Sequence, residues 1–336
     1  MAAKFNTITG DRWEEILKYF PKYTEGMVQT EPGRFTLPTS FKEIANDLAN
    51  FPFDPSDIII HGFPKSGTTW IQDMVWVLQN NMDFEGVKKF GQRIWIPEFW
   101  CLATEEERQR TLNQIEKVAP GTSKLSAFNM KPLDIVEHVK APRVFKTHVP
   151  FYLLNPKAMD TCKVIYVARN PKDNCVSYYH HHKAMSYCEY NGDFEKFVDF
   201  YIRGEVQYAP YWEHVKEAYN LSKTHPNMLF LTYEDLKKDL KSGIRKIAEH
   251  LGKKVSEDDI QKIHDHFTVK RFQGKAATDT GMKKVGIMKE DATFVRKGVA
   301  GDWQNHFKGD LNKRFDEWIQ ENSKDLDLKF EYGHIE

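Results

Sequence analysis

The chain has 336 residues, 48 basic and 48 acidic side chains and a formal net charge of zero, with 40% hydrophobic and 13% aromatic residues. That apolar content is enough for a sizeable core and excludes global disorder, and the length suits one large α/β domain or two small ones. Without net positive charge there is no general electrostatic case for nucleic acid or a membrane surface as partner, although charges can still segregate into a local patch.

No run approaches the ~18 consecutive apolar residues of a membrane span. Residues 1–10 hold no apolar leader core, so no secretory signal is expected. Cys101, Cys162, Cys175 and Cys188 form no Cys-x-x-Cys pair, and Cys162 lies within an apparent buried strand. They read as reduced thiols of a cytoplasmic protein.

Residues 1–50 read as a helical preamble. Asp11 can cap a helix with the apolar face Trp13, Ile16, Leu17 and Phe20, and Ser40 to Glu43 has the capping-box pattern. Ile58, Ile59 and Ile60 form a β-branched run that reads as a buried strand. A turn with Gly62, Pro64 and Gly67 follows, and then a helical period through Met74, Val75 and Leu78. Thr104 and Glu107 box the start of a helix reaching Val118. Short strands are expected at 142–146, 162–168 and 228–233, and helices at 172–183, 194–202, 206–221, 236–251, 256–266 and 312–322. Residues 270–302, rich in Gly, Lys and Thr, have no period and read as a long loop at the site. The alternation predicts a single α/β domain over 1–336, with a central parallel sheet flanked by helices. Ligands of such sheets bind at the carboxyl ends of the strands, which here deliver Lys65, Lys146 with His148, Arg169 and Tyr233.

Strand, glycine-containing loop, helix is how α/β proteins hold a phosphate. Loop amides and the positive helix end face the anion. Lys65, Ser66, Thr68 and Thr69 add charge and hydroxyls. The usual triphosphate loop places its lysine after the last glycine, whereas Lys65 precedes Gly67.

Pro64-Lys65-Ser66-Gly67-Thr68-Thr69-Trp70 resembles the 5′-phosphosulfate loop of the cytosolic sulfotransferases. Three further segments match that family in order. Lys146-Thr147-His148-Val149-Pro150 is similar to its K-T-H-x-P segment. Tyr166 to Asp173, running on to Ser177 and His180, resembles its 3′-phosphate segment. Phe294-Val295-Arg296-Lys297-Gly298 with Gly301-Asp302-Trp303 resembles its C-terminal R-K-G…G-D-W segment. The resemblance spans about residues 40–325. It implies sulfuryl transfer from 3′-phosphoadenosine-5′-phosphosulfate (PAPS) to a hydroxyl or amine, without a metal. By this resemblance Lys65 stabilises the leaving phosphate, His148 is the general base, Lys146 adds charge beside the transferring group, and Ser177 also holds Lys65. The nucleotide would be held by Lys65, Ser66, Gly67, Thr68, Thr69, Trp70, Arg169, Ser177, Tyr233, Thr268, Arg296, Lys297 and Gly298. Charge builds on the bridging oxygen in such transfers, and a cation there lowers the barrier.

The acceptor is expected to be a small phenol or alcohol in a pocket walled by aromatics, with Trp95 and Phe151 as candidates and His181 beside them. Adjacent residues of a helix point in different directions, so His180, His181 and His182 cannot share one ion. Two departures from the family stand out. Phe267 and Val269 flank Thr268 where a Thr-Ser-Phe trio is usual, and the usual dimer segment is missing after Trp303. Three other readings fit parts of the pattern: a nucleotide-dependent kinase, a non-catalytic nucleotide binder, and a relative that sulfates an alcohol such as a retinoid and then eliminates sulfate.

Overall fold

The computed structural model describes residues 3–88, 98–121, 123–126, 128–268 and 276–335. Its centre is a four-stranded parallel sheet of β4 (Ile58–His61), β5 (Val144–Thr147), β6 (Lys163–Ala168) and β7 (Met228–Thr232), in the order β5-β4-β6-β7. Continuous apolar runs form these strands because both faces are covered. Successive side chains leave on opposite faces. Ile59, Val164, Tyr166 and Ala168 enter one core, while Ile58, Ile60, Ile165 and Val167 enter the other.

The second core is closed by α3 (Thr68–Gln79), α11 (Leu240–His250) and α12 (Glu257–Phe267). The first takes α1 (Asp11–Tyr19), α7 (Pro171–Ala184), α8 (Phe194–Arg203), α9 (Tyr211–Thr224) and α14 (Gly309–Ser323). Smaller helices complete the chain: α2 (Ala45–Ala49), α4 (Glu105–Val118), α5 (Pro132–His138), α6 (Ala158–Thr161), α10 (Tyr233–Lys238) and α13 (Ala276–Lys284). Helices on both faces of a parallel sheet are the expected architecture, and the Thr104 and Ser256 capping boxes are both formed.

Four local expectations are corrected. The first fifty residues are not only helical, since β1 (Lys4–Thr7), β2 (Met27–Glu31) and β3 (Thr36–Pro38) form an antiparallel sheet. Ser40 does not cap a helix but donates to the Cys101 carbonyl at 3.0 Å. The helix expected over 236–251 breaks at Asp239, whose carboxylate accepts from Ser242 N and starts a new helix. Residues 270–302 are not all loop, because α13 lies within them.

The register places Ile60 beside Lys146 and His61 beside Thr147 and Tyr166. The chain therefore leaves β4, β5 and β6 side by side at one edge. Asp57, fully buried, fixes the start of that register. It accepts from Arg143 N at 3.0 Å, from Nε at 3.0 Å and from a terminal guanidinium nitrogen at 2.5 Å. Removing one partner of a buried pair strands the other's charge. Asp57→Ala is expected to lower unfolding free energy by about 3–5 kcal/mol, read by urea denaturation. A loss below about 1 kcal/mol would show that the pair does not hold the strands.

Candidate active site

After β4 the chain turns sharply through residues 62–67 into α3. Gly62 has no room for a side chain, as a Cβ there would lie 2.5 Å from the Val167 carbonyl oxygen on β6. Lys65 takes a left-handed φ of 67° and Gly67 one of 109°. A Cβ at Gly67 would lie 2.9 Å from the Tyr233 ring. The turn thus delivers Ser66, Thr68 and Thr69 to the positive end of α3, where anions are favoured.

Neighbouring elements hold this loop. Asn174 of α7 donates to Pro64 O at 2.8 Å and to Ser66 Oγ at 3.1 Å. Lys146 Nζ donates to Thr69 Oγ1 at 3.2 Å. Trp70 Nε1 donates to Phe267 O at 3.1 Å, and its ring lies 5.7 Å from that of Tyr233. Thr268 ends α12 beside them, its hydroxyl donating to Asp265 O at 3.2 Å.

Lys65 Nζ donates to Phe294 O at 3.2 Å and sits 3.7 Å from the Phe294 ring centroid. Burial, followed by the charges of Lys146 and Arg169, pushes Lys65 down to about 7. Burial likewise pushes Lys146 down to about 8, against the opposing fields of Glu98 and Asp73. Clustered cations with depressed pKa values are what a site awaiting an anion presents.

His148 lies just past β5. Its Nδ1 is 2.5 Å from Gly62 O. A carbonyl can only accept, so Nδ1 carries the proton and Nε2 is left with its lone pair. Burial, then the charge of Lys146, holds the ring well below the usual histidine pKa, so it is neutral at pH 7. The backbone of His148 is also fixed, with N–H donating to Glu98 Oε1 at 2.7 Å and the carbonyl accepting from His214 Nε2 at 2.9 Å.

Arg169, at the end of β6, lies over the Tyr233 ring at 4.5 Å and donates to Val299 O at 2.9 Å, while its buried Nε has no partner among the described residues. Ser177 and His181 follow Asn174 at helical spacings of three and seven, on the face of α7 turned to the loop. His181 contacts Tyr187 OH at 3.2 Å and the Phe294 ring at 6.0 Å. His180 lies by His306, and His182 is buried on Tyr178. Among the described residues no group of ligating side chains could hold a metal. Arg296 and Lys297 both pair with Asp302, whose carboxyl is held well below its ordinary value by those hydrogen bonds against burial. Gly298 beside them is left-handed at φ 71°. Asp173 binds Gly301 N at 2.6 Å and Trp303 N at 2.9 Å, which ties two of the sequence motifs together.

Phe151, expected on the acceptor wall, packs in the main core and stacks on His61 at 4.0 Å. Trp95 lies outside the described residues. Sequence reasoning missed Glu98, Asn174, Phe294 and His214. Asn174 and Phe294 lie inside matched segments but carry no charge to mark them, Glu98 and His214 lie outside those segments, and each acts by holding backbone or a neighbouring charge.

A family model described as a sulfotransferase domain matches residues 55–327. Rat sulfotransferase 1A1 is 34% identical over 294 residues, covering 86% of this chain and 92% of its own. Human sulfotransferase 1E1 is 30% identical, covering 86% and 91%. A retinol dehydratase solved with retinol and PAP superposes with a TM-score of 0.89 at 29% identity, over 98% of this chain and 99% of that one. The same enzyme solved with androsterone and PAP gives 0.88.

Because burial, helped by like charges, depresses Lys65 to about 7, and burial alone depresses Lys146 to about 8, the cations are present below those values and lost above them. The affinity for inorganic sulfate, whose own charge is constant near neutrality, is expected to fall as pH rises through this window. Calorimetry on wild type and Lys65→Ala checks it, and the variant should bind less and respond less to pH. Equal affinity on both sides of the window would contradict the assignment.

Proposed function

The chain belongs to the sulfotransferase family, and on that basis we propose that it moves the sulfuryl group of PAPS in line to the hydroxyl of a small aromatic or apolar acceptor. PAPS supplies the activated sulfuryl group. The residues suit its anions: Gly62 and Gly67 clear the loop, Lys65 would meet the bridging oxygen, and Arg169 Nε, without a partner among the described residues, would take the 3′-phosphate. Ser177, Arg296, Lys297 and Gly298 complete that end. Trp70, Tyr233 and Thr268 flank the adenosine, while Ser66, Thr68 and Thr69 line the loop. An arriving anion favours protonated Lys65 and offsets the repulsion among the three cations.

The observation that carries this reading is the Nδ1–H bond of His148 to Gly62 O. It leaves a neutral ring with Nε2 as the acceptor, ready to take the proton of the attacking hydroxyl. Lys146, bonded to Thr69, supplies charge beside the transferring group. His181 borders the acceptor. The four cysteines are buried and unpaired, as suits a reducing, cytoplasmic setting.

A second reading shares the first step. The extent of superposition on the retinol dehydratase favours it. After transfer, the acceptor carbon–oxygen bond breaks, the sulfate ester leaves as sulfate with the bonding pair, and a neighbouring carbon loses a proton to give an alkene.

Phenols, steroids, retinoids and amines incubated with sulfur-labelled PAPS test both readings. Labelled ester marks transfer alone. Labelled inorganic sulfate formed together with an alkene marks elimination. His148→Ala should lose about 10²–10⁴-fold in kcat, and Lys65→Ala about 10²–10³-fold. If no acceptor is labelled and both variants equal wild type, the reading fails.

A further inference from the structure

Three contacts from three parts of the chain fix His148. Gly62 O takes the ring proton, His214 holds the carbonyl, and Glu98 takes the backbone N–H at 2.7 Å. Glu98 differs from the other two because it is a carboxylate with 0% exposure. Its second oxygen accepts from Thr147 Oγ1 at 3.0 Å. Among the described residues no lysine or arginine pairs with it. Burial pushes Glu98 up to about 7, opposed by the hydrogen bonds from His148, its own backbone and Thr147 and by the field of Lys146, so its full charge is present in the alkaline range where Lys146 titrates. Burying a carboxylate costs free energy, and an apolar side chain of the same size fills such a site more cheaply. Glu98 opens the short turn Phe99–Leu102, which is pinned in turn by the Ser40 bond to Cys101 O. The carboxylate therefore joins that turn to the strand end that carries the base.

We propose that Glu98 is a positioning residue for the transfer, clamping the main chain of His148 so that Nε2 faces the acceptor hydroxyl. The proposal rests on His148 being the base. Glu98 acts on the reaction through its neighbours, chiefly through His148. The ionisable groups facing it are Lys146 and His148 at the end of β5, Tyr208 before α9, and Cys101 in its own turn. Lys146 also faces Asp73 and Lys65. The negative charge of Glu98 thus favours protonated Lys146 as well as holding the base.

Two variants separate these effects. Glu98→Asp keeps the charge but shortens the reach. It should lower kcat by about 10–100-fold, leave KM for PAPS within about twofold, and leave the alkaline limb of the pH profile in place. Glu98→Gln keeps an acceptor oxygen but removes the charge. It should move the alkaline limb towards acid by about one pH unit, because Lys146 loses the field that opposes its burial. In a His148→Ala background Glu98→Asp, which keeps the charge, should not lower kcat further. Wild-type kcat and pH profile in both variants would overturn the proposal while leaving the function intact. So would an equal loss of kcat with and without His148. Wild-type activity in His148→Ala would instead overturn the assignment of the base. If Glu98→Gln does not fold, Glu98→Asp alone decides through the split between kcat and KM.

Discussion

One hydrogen bond organises the site, the Nδ1–H of His148 donating to the carbonyl of Gly62. It crosses from the end of β5 to the residue that ends β4. Paired strands lie about 4.8 Å apart, so a side chain leaving one reaches the backbone leaving the other. The register of β4 and β5, anchored by Asp57 and Arg143, puts the two ends level. Close packing against Val167 O allows only glycine at position 62. The same residue that lets the loop turn therefore also selects the tautomer of His148, the proposed base.

Around that bond the site concentrates positive charge that the protein offsets only in part, through Glu98 and Asp73 at Lys146 and Asp279 at Lys65. Lys65 and Lys146 are both depressed by burial, and Lys65 further by Lys146 and Arg169. The farther cations, Arg296 and Lys297, are balanced by Asp302. Asp173 anchors the stretch that carries Asp302 through Gly301 N and Trp303 N. Gly301 is required there, because a Cβ would lie 2.7 Å from His334 Cα. An anion binding between these groups relieves repulsion at one end and meets charges already oriented at the other.

Much of this was legible in the sequence. The runs at 58–60 and 164–168 are apolar on both faces, as a covered parallel sheet requires, and the segments after them carry Lys65 and Arg169. The residues left unread share a physical reason. Glu98 and Asn174 serve the site through main-chain groups and hydroxyls, which leave no period and no spacing in the sequence. The strand Lys4–Thr7 is four residues long and mostly exposed, so no alternation marks it. The helix Ala276–Lys284 carries two threonines and a glycine, which weaken its helical signal.

The central claim is that His148 is held neutral with its proton on Nδ1. Nitrogen-15 chemical shifts of the imidazole rings measure this directly. With 13 histidines in the chain, the His148 signals are assigned by their loss in His148→Ala. At pH 7 the Nδ1–H tautomer is predicted, and the ring stays neutral as pH falls below 6.5, the ordinary histidine value. A ring protonated on both nitrogens at pH 7, or one carrying its proton on Nε2, would contradict the account.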